Sequence, residues 1–88
     1  GRSCYLISES KSMELEQTIT STMHRGVTLL HGAGGYTGES REVLMCVIKK
    51  RQITELRKIV KAVDPGAFFI VTDAKDVFGN GFGNINDD

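Results

Sequence analysis

The sequence predicts an α+β domain in which four short strands and two helices follow one another as βαββαβ. Three observations predict it. Four short runs are rich in β-branched and aromatic residues, two longer segments carry apolar residues at helical spacing, and glycine, serine or proline clusters punctuate the junctions.

CYLIS, residues 4–8, reads as the first strand. Ser10 or Ser12 is then placed to cap a helix through SMELEQTITSTMHRG, with Glu14 and Glu16 near the positive end of its dipole. His24 and Arg25 fall in its last turn, and Gly26 is expected to supply the left-handed stop, so the histidine needs no catalytic role. GVTLLHG, 26–32, is the second strand, and REVLMCVIKK, 41–50, the third. In ITELRKIVKAVDPG, the residues Ile53, Leu56, Ile59, Val60 and Val63 form one helical stripe that stops at Asp64-Pro65-Gly66. AFFIVTD, 67–73, is the fourth strand; a helical turn at 74–77 and a flexible tail at 80–88 complete the expectation. Together these elements specify one ferredoxin-like domain over 1–88, ordered over about 4–79: a four-stranded antiparallel sheet with two helices on one face.

The totals narrow the function. With 88 residues the core is small, and eleven basic residues balance eleven acidic ones, which argues against a nucleic-acid binder. The longest apolar runs, VLMCVI and AFFIV, are too short to cross a bilayer. The opening GRSCYLIS lacks a leading methionine and reads as a piece of a longer chain. Cys4 and Cys46 sit inside apolar runs without a CxxC spacing, so they read as small buried hydrophobes of a reducing compartment.

The strands do not alternate polar with apolar. Val43, Met45 and Val47 point one way while Leu44, Cys46 and Ile48 point the other; Ala67, Phe69 and Val71 oppose Phe68 and Ile70. Two helices shelter one face, and the other would leave an apolar patch beyond the ~300–600 Å² usual for monomers. Copies of the same chain, as a dimer or trimer, are the first expected cover, and a missing part of a longer parent chain is the second.

The second signal is HGAGGYTGESR, residues 31–41, with four of the ten glycines. It fails as a dinucleotide fingerprint, because Thr37 occupies the last glycine position and a strand follows instead of a helix. It fails as a P-loop because Glu39 stands where lysine is needed. What survives is a loop able to hold a small anion: backbone donors from Gly32, Gly34, Gly35 and Gly38, a stacking face on Tyr36, polar contacts from Thr37 and Arg41, and His31 at the mouth. At some nine residues, GAGGYTGES is longer than an ordinary hairpin loop. The competing reading is a structural module that only oligomerises its parent chain, with the glycine-rich hairpin as a mere contact.

Arg25-Gly26-Val27-Thr28, the loop Gly32-Ala33-Gly34-Gly35-Tyr36-Thr37-Gly38, Asp64-Pro65, and the closing Gly79-Asn80-Gly81-Phe82 carry a resemblance over roughly residues 4–82. They resemble the small C-terminal domain of the YitT-type bacterial membrane proteins, a family of unknown function that is similar in fold to PII-type signalling proteins. Those are trimers that bind nucleotides between subunits, beside a mobile loop joining strands two and three. The resemblance implies a regulatory or ligand-sensing domain on the cytoplasmic face of the membrane, attached to a membrane-spanning part, with no cofactor. None of the nucleotide-binding residues of PII proteins is matched. An enzyme is disfavoured: acylphosphatases share the fold but need an arginine-bearing loop after strand one, where this chain has SESKS. Asp73 and Asp76 read as capping groups and no metal site is expected; Lys49-Lys50-Arg51 reads as a solvated corner. RNA binding by this fold needs aromatics on the central strands, where only Tyr5 is available.

Overall fold

The structure, a computed structural model, describes residues 1–73. The helical turn expected at 74–77, the tail at 80–88 and the residue Asp76 lie outside the described residues. The elements are β1 (Arg2–Ile7), α1 (Ser12–Met23), β2 (Thr28–Ala33), β3 (Ser40–Ile48), α2 (Ile53–Val63, led in by a 3₁₀ turn at Lys50–Gln52) and β4 (Phe68–Asp73). The sheet order is β2-β3-β1-β4, every pair antiparallel, so the predicted ferredoxin-like α+β arrangement is the observed one.

Strand periodicity sorts the residues between two faces. Cys4 and Leu6 of β1 and Leu44, Cys46 and Ile48 of β3 point to the helices and are at most 1% exposed. Leu15, Ile19 and Met23 of α1 and Leu56, Ile59 and Val60 of α2 close over them. Each fully buried Leu or Ile contributes roughly 1.5–3 kcal/mol by leaving water. Cys4 and Cys46 are directly opposite in register, both free thiols. Their mutual hydrogen bond, with burial acting in the same direction, pushes the Cys46 thiol far above its ordinary pKa.

Two helix boundaries differ from the sequence reading. Neither Ser10 nor Ser12 caps α1. Lys11 holds the N-cap position without a side-chain bond, and the Lys11 N–H donates to Ser8 Oγ at 2.9 Å. Ser8, 8% exposed, donates in turn to Asp64 Oδ2, so one hydroxyl fastens the start of α1 to the end of α2. At the other end of α1, the left-handed residue is His24 (φ 57°), not Gly26. The chain turns one residue after the helix ends, before the glycine is reached. Gln52 ties a second junction: its Oε1 accepts from the Lys49 N–H (2.9 Å) and from Arg25 Nε (3.2 Å).

Candidate functional site

Two features stand out from the helix-covered core: the second face of the sheet and the β2–β3 hairpin.

The second face carries Tyr5 and Ile7 of β1, Val43, Met45 and Val47 of β3, Leu30 of β2, and Phe68 and Ile70 of β4, as the registers Tyr5↔Met45, Tyr5↔Ile70, Ile7↔Phe68 and Leu30↔Val43 require. The central residues are half-buried by their neighbours, while Phe68 is 70%, Ile70 45% and Leu30 41% exposed. The two-faced pattern read from the sequence is therefore present, and among the described residues nothing covers this side.

The hairpin is tighter than the sequence suggested. Strand pairing continues through His31↔Glu42, Gly32↔Arg41 and Ala33↔Ser40, which leaves the six residues Gly34–Glu39 as the connection instead of some nine. The Gly34 N–H donates to the Glu39 carbonyl (2.8 Å), the Gly38 N–H to the Gly34 carbonyl (2.9 Å), and the Glu39 N–H to Thr37 Oγ1 (3.2 Å). Two of the four glycine donors considered for an anion are thus engaged in closing the turn. Only Gly38 needs the left-handed region, at φ +72°. At Gly34 a Cβ would meet Thr37 Oγ1 at 2.7 Å and Arg41 Nε at 3.6 Å, so glycine permits these two side chains to fold against the backbone.

The structure brings Gly34, Thr37 and Arg41 together. It separates the others. Strand parity places His31 and Glu42 on the helix side of the sheet, and Gly32 and Arg41 on the open side. Gly35 borders open space, and Tyr36 at the tip is 102% exposed. Half-buried Arg41 borders two shallow grooves. One, of about 280 Å³, is lined by Ile7, Ser8, Glu9, Glu39, Ser40 and Arg41; the other, of about 210 Å³, adds Ser10, Asp64, Gly66 and Phe68. One guanidinium there faces three carboxylates, Glu9, Glu39 and Asp64, which opposes a multiply charged anion and leaves room for a singly charged one.

Sequence reasoning missed a third groove, of about 430 Å³, between α2 and β4. Val60, Ala67, Phe69 and Val71 form its floor, and Arg57 and Lys61 its rim. The signal was present as basic residues at i and i+4 beside the apolar stripe, but whether α2 reaches the edge of the sheet is a tertiary fact. Among the described residues no group of three or more His, Cys, Asp or Glu is arranged to hold a metal ion, and Asp73 pairs with Arg2 Nε at 3.2 Å. No helix among them is long and apolar enough to cross a membrane.

Comparison with known proteins places this geometry. The UPF0750 membrane protein YxkD of Bacillus subtilis is 48% identical over 81 residues, 92% of this chain and 29% of that protein. The UPF0750 membrane protein YitT of the same organism is 35% identical over 74 residues, 84% of this chain and 26% of that protein. The chain thus spans less than a third of the length of these relatives. A crystal structure from Eubacterium ventriosum, described as an uncharacterized DUF2179 protein conserved in bacteria, superposes with a TM-score of 0.70 at 32% identity, covering 82% of this chain and 99% of that one. A functionally unknown protein from Pediococcus pentosaceus shares the fold at 15% identity, with a TM-score of 0.73 over 89% of this chain and 94% of that one. The family model for uncharacterized bacterial proteins DUF2179 matches residues 25–79, more than half of the chain, and this chain belongs to that family.

Proposed function

We propose that this chain is a non-enzymatic regulatory domain on the cytoplasmic face of a bacterial membrane protein, and that it works as a self-associated assembly. The carrying observation is the uncovered sheet face, with Phe68, Ile70 and Leu30 exposed beside Tyr5, Met45 and Val47. The membrane attachment is drawn from relatives named as membrane proteins. Exposed apolar surface of this extent is stabilised by burial against another surface, and a second copy offers the same complement of side chains. In such an assembly the domain would hold membrane-spanning parts of several parent chains at a fixed spacing. Sedimentation tests it: the chain is expected to associate at micromolar concentration, and Phe68→Asp or Ile70→Asp to sediment as a folded monomer. A monomeric wild-type chain at high concentration removes the proposal.

A second reading has its own support in the convergence of Thr37 Oγ1 and Arg41 Nε on Gly34, beside Ser40. There a small, singly charged anion would bind close to the hairpin, and binding would bias the assembly. A thermal-shift panel of inorganic phosphate, carboxylates and nucleotides tests it. Stabilisation lost in Arg41→Gln supports it, and a melting temperature unmoved by the whole panel excludes it.

A further inference from the structure

We propose that the β2–β3 hairpin of one copy docks into the α2–β4 groove of another. The inference rests on the self-association proposed above and names a second, independent surface for it.

Beside the open face, two further surfaces of unusual character lie at opposite edges of the sheet.

At the β2 edge the hairpin is an arm. β3 residues Ser40, Arg41 and Glu42 pair with β2 alone, because β1 ends at Ile7 opposite Val43. The arm's tip presents Tyr36 with its whole ring in water, followed by the carboxylates Glu39 and Glu42, both exposed. Tyrosine exposed in this way has the form of an interface anchor, a rigid apolar ring with a polar end.

At the β4 edge the groove has the complementary character. Its floor of Val60, Ala67, Phe69 and Val71 is apolar, and Arg57 and Lys61, one turn apart on α2, stand exposed on its rim. Neither cation has an ion pair among the described residues. A ring-sized apolar floor with two cations above it fits an aromatic tip followed by two carboxylates. The sheet order puts arm and groove on opposite edges of the same molecule, so an arm cannot reach its own groove. The contact is therefore made between copies, exchanged reciprocally across a two-fold axis or passed on around a ring. It makes Tyr36 a contact residue.

Charge reversal tests the match, since all five side chains are exposed and the folded monomer does not depend on them. Glu39→Lys with Glu42→Lys is expected to weaken association at least tenfold, as is Arg57→Glu with Lys61→Glu. The chain carrying all four reversals is expected to recover most of the loss, because every arm again meets an opposite rim. Tyr36→Ala should also weaken association by about tenfold or more. Association at wild-type strength in the two reversal pairs and in Tyr36→Ala overturns the docking, as does a four-fold variant no better than either pair. In those cases monomeric Phe68→Asp beside an oligomeric wild type leaves the open-face proposal standing. A monomeric wild type overturns both proposals.

Discussion

The two faces of this sheet are made of similar side chains in very different surroundings. On one, Cys4, Leu6, Leu44, Cys46 and Ile48 are sealed beneath two helices; on the other, Tyr5, Ile7, Val43, Met45 and Val47 alternate with them along the same strands and have no cover among the described residues. The difference lies in chain order and helix count. A βαββαβ chain delivers both crossovers to one side, so the second apolar face needs something other than its own helices. Hydrophobicity tells how much surface demands shelter, and topology tells which part receives it within the molecule.

The largest test of this contrast is a pair of adjacent positions on β3. Leu44→Ala, on the sealed face, should lower the unfolding free energy by about 2–5 kcal/mol, the range for cavity-forming core truncations. Val43→Ala, on the open face, should lower it by about 1 kcal/mol at most in dilute solution. Equal losses in urea denaturation would mean that both faces are covered in the isolated chain. Next in size is Ser8→Ala, which removes the hydroxyl joining Lys11 to Asp64 and loosens the helical cover; about 1–3 kcal/mol should be lost by the same measurement. Gly38→Ala should cost about 1 kcal/mol because its φ is +72°, whereas Gly35→Ala should stay within about 0.5 kcal/mol, since nothing lies near its Cβ position. A small gain comes next: His24→Gly relieves a left-handed β-carbon at the end of α1 and should raise the melting temperature by an amount equivalent to a few tenths of a kcal/mol. Gly26→Ala should leave stability nearly unchanged, because its backbone is not left-handed and its Cβ position is open.

The unbroken apolar runs of β3 and β4 and the stripe Ile53, Leu56, Ile59, Val60 and Val63 made the fold and both faces legible, because those signals are local. The fastening of the helices was not. Ser8 acts on a carboxylate 56 residues away, and no nearby spacing encodes that partner. The same holds for the hairpin. Glycines signalled an open loop, but the pairs Gly32↔Arg41 and Ala33↔Ser40 draw Gly32 into the ladder, and the N–H groups of Gly34 and Gly38 close the turn. His31 and Arg41 lie across from Glu42 and Gly32 on adjacent rungs, yet parity sends them to opposite sides. A run of potential ligands in sequence is therefore split in space.

The extra length of β3 has a mechanical consequence. A two-stranded ribbon clamped to a four-stranded sheet behaves as a cantilever: each rung beyond Ile7 has lost a neighbour, so its amides should exchange with solvent faster toward the tip. Force or binding at Tyr36 would act at the free end of that beam, farthest from its clamp. Its lever arm could then be lengthened or shortened, rung by rung, without disturbing the packed layer beneath the helices.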